Sequence, residues 1–420
     1  MSHHKAAGLP LTLPKDTPRG LSAILLLMVA AGAAMFAFEL TRDPARAWRA
    51  YFVAVMFFYG ISIAGVVWSA VTRLSNGRFA APVVRIMEGL GAFQPAGYLL
   101  FLAFLFLGAR HVYPWIHEEY KPAPHWLNLE SVQLRQGLVM LAVTLFNLAF
   151  MRLALRPDMA VLQSKVPGKL RGLYRGWARG FGGSDVEVER NRLTLMRLSP
   201  MVVIFYAISM TLLSVDLVMS MEPEWVSTLF PGIGFIGTFL GAICVTAVIT
   251  SVVRFKWKLE ETITPRTMHS VGLLVFAFCT FWMSMHWAEY LTIWYAKLPE
   301  ETGWMQARLG AESPWLPVSI ASVVCVWLVP FVSMMTKAAK SNPKSLSFFA
   351  CLMLTGLWLE RLVFIAPAPE ASPEHVTLGF VEVLVAGGVL GLFSLCYLWF
   401  VSVFPPLPAV DPYGPGSDTH

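Results

Sequence analysis

The five cysteines of this chain form no cluster. Cys244, Cys279, Cys325, Cys351 and Cys396 each stand alone in an apolar run, with no C-x-x-C or C-x-x-C-H spacing. An iron–sulfur cluster needs several thiolates, usually close in sequence, so none is expected on this chain. An isolated cysteine in an apolar helix acts as a small hydrophobe. Nucleotide and metalloprotease signatures are missing too. There is no G-x-x-x-x-G-K-[ST], no strand-associated G-x-G-x-x-G and no H-E-x-x-H. Charge is scarce: 14% of the 420 residues are charged, against 56% hydrophobic. That balance excludes an ordinary soluble protein and makes the net charge of +6 uninformative about nucleic acid, which is not expected as a partner.

What is present is apolar sequence in membrane-length runs. Ten of them lie at about 21–40, 50–72, 82–109, 133–155, 197–220, 229–253, 268–296, 314–336, 346–366 and 377–403. About 20 residues at 1.5 Å rise cross a hydrocarbon core of about 30 Å. The 15 Trp and 29 Phe suit lipid-facing surfaces and interfacial anchors. The first run is read as a retained anchor, since a signal peptide has a shorter apolar region and a small-residue cleavage site.

Basic residues set the orientation. With the N-terminus inside, the inside segments carry 23 of the 32 Lys and Arg and the outer loops nine. The inside loop 152–197 alone holds ten, against four acids. The asymmetry predicts both termini in the cytoplasm.

The two halves of the chain are faintly alike. RAWRAYFVAVMFFYGISIAGVVWSAVTRL from Arg46 and EPEWVSTLFPGIGFIGTFLGAICVTAVITSVV from Glu222 share an aromatic entry, a glycine-spaced core and a basic end. Glycine- and alanine-rich helices of this kind pack closely inside bundles. The predicted fold is an all-α integral membrane protein of ten transmembrane helices, two pseudo-repeated four-helix bundles plus two flanking helices. Its parts are a cytoplasmic segment (1–20), helix 1 with an outer loop (21–49), a first bundle (50–220), a second bundle (221–366), helix 10 (367–403) and a cytoplasmic tail (404–420). Rich in Pro and Gly, Pro405–His420 reads as extended and as ordered only by a partner.

Ionisable residues inside such runs are costly, roughly 2.5–3.5 kcal/mol each on insertion scales, and are functional candidates by default. The stretch SVDLVMSMEPEWVSTLF from Ser214 places Asp216 in a run and Glu222, Pro223, Glu224 and Trp225 at its mouth. Towards the outer side lie Asp216, His286, Glu289, Glu360, Arg361 and Glu382; towards the cytoplasm lie Arg85, Glu88 and His269. Asp216, His286, Glu289, Glu360 and Glu382 are read as an outer proton path, and Arg85, Glu88 and His269 as its inner counterpart. His286 and Glu289 stand three apart and share a helix face, as do Arg85 and Glu88. A His–carboxylate pair can hold and pass a proton near neutral pH. Glu360 and Arg361 are adjacent, point to different faces and need separate partners. His269 and His286 lie on one helix about 25 Å apart by rise, so they cannot ligate one haem. No catalytic residue, metal site or cofactor held by this chain alone is expected.

Two motifs then resemble a known family. DLVMSMEPEWVSTLF (Asp216–Phe230) and FWMSMHWAEYLTIWYAKLPEET (Phe281–Thr302) look like the ten-helix NrfD-like membrane proteins of bacterial alternative complex III, relatives of the membrane component of polysulfide reductase. The chain departs from the family pattern at His286, where Ser or Gln is expected. The resemblance implies an integral subunit, without its own redox centre, of a quinol:electron-acceptor oxidoreductase in a bacterial inner (plasma) membrane. It implies a second NrfD-like subunit, an iron–sulfur subunit, multihaem and monohaem cytochromes c and small membrane subunits as partners, with an attached terminal oxidase a further candidate. Haem c and iron–sulfur clusters would belong to those partners, and quinone or quinol is the small molecule such a chain would meet. A secondary transporter built from repeated bundles, or a membrane scaffold, is the alternative.

Overall fold

A computed structural model describes residues 12–116, 125–222, 225–367, 376 and 378–414. Among them, ten helices are long and apolar enough to cross a membrane: α1 (Arg19–Leu40), α2 (Pro44–Leu74), α3 (Val84–Val112), α4 (Leu129–Leu162), α5 (Asp185–Met221), α6 (Phe230–Lys256), α7 (Pro265–Ala296), α8 (Leu316–Ser333), α9 (Pro343–Ile365) and α10 (Phe380–Val403). The chain has the architecture of a multi-pass, all-α membrane protein.

Helix starts follow local chemistry. Asp43, Thr264 and Asn342 cap α2, α7 and α9 with side-chain oxygens, and a proline follows each cap. Ser184 and Glu187 close a capping box on α5. That box starts α5 twelve residues before its apolar run, while α4 continues through Pro157 to Leu162. The loop expected over 152–197 is therefore mostly helix, with a further short helix, Gly168–Trp177, between the two spans. Polar helical turns carry no apolar run, which is why the run boundaries fall short.

Packing separates central from peripheral helices. The apolar window of α2 is 94% buried within the chain and that of α6 78%, whereas that of α1 is 11% buried. α2 packs on α3, α4 and α5; α6 packs on α7 and α9, and α8 lies against α9. α2 and α6 also pack on each other. A Cβ on Gly60 of α2 would stand 2.7 Å from Thr238 Cγ2 of α6, so glycine permits this approach. α1 pairs with α10, and both dock on α2. Their outer faces, with Ile24, Leu26, Leu27 and Phe380 exposed, are suited to lipid.

Contacts between helix ends show two opposite faces. On the terminal face, the end of α2, the start of α3, the end of α4 and both terminal segments meet through Arg73, Glu88, Asp158, Thr12 and Val410. On the far face, the end of α1 meets the starts of α2 and α10 through Glu39, Arg46 and Glu382. The expectation of a tail ordered only by a partner is corrected here, because residues 404–414 fold back over the terminal face. Phe404, Leu407, Ala409, Val410 and Tyr413 are buried. The Ala409 and Val410 N–H groups donate to Asp158 Oδ1, each at 3.0 Å, and Leu407 N donates to Thr12 Oγ1 at 3.2 Å. Apolar residues every two or three positions, together with a buried carboxylate that accepts backbone N–H groups, give the tail its own site. Residues 415–420 lie outside the described residues.

Candidate functional site

A partly open cavity of about 260 Å³ lies between α6, α7, α8, α9 and the short helix Pro299–Leu309. Its wall is largely aromatic and aliphatic, including Trp282, Met283, Trp304, Val323 and Phe364. Four acidic or basic side chains interrupt that wall: His286, Glu289, Arg308 and Glu360. Apolar clefts with a few convergent polar groups are the usual form of a small-molecule site.

Glu360 is buried at the centre of this group. Trp282 Nε1 donates to its Oε1 at 2.8 Å, and His286 Nε2 lies 3.0 Å from the same oxygen. The histidine approach has the distance of an ion pair but runs off the line of a ring N–H. On the other side of the ring, His286 Nδ1 lies 2.9 Å from the Trp282 carbonyl. A carbonyl accepts only, so Nδ1 carries the hydrogen, and Nε2 then faces a carboxylate. The pair is exposed to the cavity.

Arg361 backs the pair. Its Nη2 donates to the Gly234 carbonyl at 3.2 Å and comes within 3.8 Å of Glu360 Oε2. Adjacent on α9, the two side chains have different main partners as expected, yet the length of the arginine brings it back to its neighbour. A Cβ on Gly237 of α6 would stand 2.6 Å from Arg361 Nη2, so a side chain there would displace this arrangement.

Arg308 closes the far end of the cavity from the Pro299–Leu309 helix. It donates to the carbonyls of Val363, Trp304 and Phe364 at 3.1, 3.0 and 3.3 Å, and its Nη2 lies 2.7 Å from Glu222 Oε1. Burial lowers the pKa of this guanidinium from its ordinary value, and the Glu222 carboxylate opposes the shift. Glu222 thus joins the mouth of α5 to the cavity; Pro223 and Glu224 lie outside the described residues.

The remaining candidates are distributed elsewhere. Asp216 sits in a π-helical turn of α5 and is fully buried. It accepts from Arg135 Nε at 2.7 Å, Gln136 Nε2 at 2.6 Å and Trp126 Nε1 at 2.8 Å. Glu382 holds Arg46 through two bonds of 2.9 and 3.0 Å, with Glu39 3.6 Å from the same guanidinium. Glu289 lines the cavity, forms no hydrogen bond with His286 among those described, and its Oε1 has no hydrogen-bond partner. The His286–Glu289 pairing suggested by spacing is replaced by His286–Glu360, because α9 brings a carboxylate to the same side of the ring.

At the terminal face, Arg85 and Glu88 do pair, within a larger network. Arg73 Nη2 lies 2.7 Å from Glu88, Ser69 donates to Glu88 at 2.8 Å, and Arg85 Nε lies 2.7 Å from Asp158. His269 is not part of it; it stands at the start of α7 with Nδ1 unpartnered. Sequence reasoning misses Asp158, Arg73 and Arg46 because each lies at a helix end outside the apolar runs, and Arg135 because it stands at the edge of one. An acid directly after a proline at the close of an apolar run, as in Pro157–Asp158, is the available signal.

The structure therefore brings together His286 and Glu360, with Glu289 on the same cavity, and separately Arg85 and Glu88. Asp216, Glu382 and His269 each stand apart. No family model matches the chain, and no curated protein is similar to it in sequence.

Proposed function

We propose that this chain is an integral membrane subunit of a quinol-oxidising respiratory complex of the alternative complex III type, in a bacterial inner membrane with both termini cytoplasmic. It contributes a proton-handling cavity and holds no redox centre. The observation that carries this reading is the His286–Glu360 pair on the wall of an apolar cavity. Oxidation of a quinol releases protons as well as electrons. The electrons would pass to iron–sulfur clusters and haems c of partner subunits, while the protons need acceptors that water alone does not supply in an apolar site. A histidine and a carboxylate sharing one proton are suited to that task. The motifs Asp216–Phe230 and Phe281–Thr302 support the same reading, since the second carries Trp282, His286 and Glu289 on one helix.

A transporter would place interrupted helices at matching positions of the two bundles around a central site. Here the π-helical turns fall in α3, α5 and α8, which are not equivalent places in the two bundles. Purification from native membranes tests the proposal. The full chain should copurify with haem c and iron–sulfur subunits, and Glu360→Gln should leave that assembly intact while lowering quinol turnover about tenfold or more. Isolation of the chain alone, or unchanged turnover in the variant, refutes it.

A further inference from the structure

The helix Gly168–Trp177, between α4 and α5, plays no part in the cavity. Its sequence, GKLRGLYRGW, is amphipathic. Leu170, Tyr174 and Trp177 recur at helical spacing and turn inward, with Tyr174 fully buried and the other two packed on the core. Tyr174 donates to the carbonyl of Val403, the last residue of α10, at 3.0 Å, and Trp177 packs on Phe404 with ring centroids 5.1 Å apart. Those contacts hold the helix at the level where a membrane-length span ends. Its outward face carries Lys169, Arg171 and Arg175, beside an exposed Leu173.

The surrounding charge is mostly positive. Lys165 and Arg179 flank the helix, Arg152 and Arg156 lie on the last turns of α4, and no acid occurs between Asp158 and Asp185. Among the described residues none of these seven cations forms an ion pair. The nearby acids are engaged elsewhere: Asp158 with Arg85, Glu187 with Ser184, Glu189 with Arg192, and Asp411 with the Tyr413 N–H. A dense cationic face that forms no ion pair among the described residues, fixed at the end of membrane spans, has an abundant complementary partner in the adjoining leaflet. Basic amphipathic helices lie at such interfaces, and clustered Lys and Arg attract anionic headgroups.

We infer that the cationic face of the Gly168–Trp177 helix, with Lys165 and Arg179 at its ends, binds the phosphate headgroups of anionic phospholipids. Lys169, Arg171 and Arg175 contact the phosphates, while Leu173 enters the upper acyl region. The site is independent of the cavity and of the respiratory reading.

The test uses the full-length protein in its purified assembly, reconstituted into bilayers of phosphatidylcholine with and without phosphatidylglycerol. Spin-labelled phosphatidylglycerol should associate with the wild type in preference to spin-labelled phosphatidylcholine, and salt should weaken that preference. The triple variant Lys169→Glu, Arg171→Glu, Arg175→Glu should lower the affinity for phosphatidylglycerol about tenfold or more. If it fails to assemble, Arg171→Gln and Arg175→Gln singly should each give a graded loss. Equal phosphatidylglycerol affinity in wild type and variants overturns the inference. So does loss of a copurifying protein from the variants with lipid selectivity unchanged, since that assigns the face to a protein partner.

Discussion

Two of the buried charge groups, one on the terminal face and one on the cavity, differ in how completely they are satisfied. In the first bundle, Arg73, Arg85, Glu88 and Asp158 form a set in which both carboxylates bridge cations or backbone N–H groups, only Arg73 Nε lacks a partner, and the tail covers it. In the second, Glu360 is shared among an indole, an imidazole and a distant guanidinium, while His286, at a fifth exposed, looks into a cavity. Buried ionic networks need all their partners to offset desolvation. A network whose carboxylates are all paired therefore holds helices in register, whereas an unsaturated pair beside open space suits the proton-handling role proposed for it. Charge at membrane depth is thus not one signal but two, and the count of donors around each carboxylate separates them.

The sharpest way to break this comparison is Arg85→Met. It leaves Glu88 with one cation and Asp158 with none, both fully buried. Removing one partner of a buried network costs about 3–5 kcal/mol. Thermal unfolding in detergent should show a large loss of stability and of folded yield. A loss below about 1 kcal/mol would show that water reaches these groups and that the network is not closed.

Asp216→Asn comes next. Asp216 belongs with the saturated class, since three donors fill its oxygens and its arginine is a fifth exposed. The amide keeps part of this bonding and leaves Arg135 partly solvated, so a cost of about 1.5–3 kcal/mol is expected. On the proposed function, quinol turnover should stay within about twofold of wild type, because this carboxylate does not line the cavity of the second bundle. A tenfold fall in turnover with normal stability would move Asp216 into the proton-carrying class. Glu382→Gln should cost less, about 1 kcal/mol or below, as its partner Arg46 is 28% exposed and can turn to solvent. Unfolding measurements on the same preparation check the order of the three.

Much of this is legible in the sequence, and the rest for identifiable reasons is not. Ten spans follow from apolar length alone, and the central place of α2 and α6 follows from their glycine and alanine content. Arg85 and Glu88, three apart, announce their own pairing. The His286–Glu360 contact joins residues 74 positions apart on two helices. No periodicity within one helix encodes that, and the local rule points instead to Glu289. The tail is misread for a related reason. Pro and Gly content describes how a segment behaves alone, whereas Asp158, whose Oδ1 fixes the backbone of residues 409 and 410, lies some 250 positions earlier. The cavity itself is a property of packing between five helices and has no sequence signature.

The smallest expected effect on stability tests the open side of the comparison. Val323 lies on the cavity wall and is partly buried, one residue before the π-helical turn of α8. Val323→Phe puts a larger apolar side chain into space that already exists, without touching Glu360, His286 or Arg361. Overpacking a closed core costs about 1–3 kcal/mol, but filling an existing void should change stability by about 1 kcal/mol or less. If the cavity serves the His286–Glu360 pair, the same substitution lowers quinol turnover while the assembled complex and its melting temperature stay near wild type. If turnover is unchanged, the empty space is a packing defect, and the pair, however unsaturated, is as structural as the closed network in the first bundle.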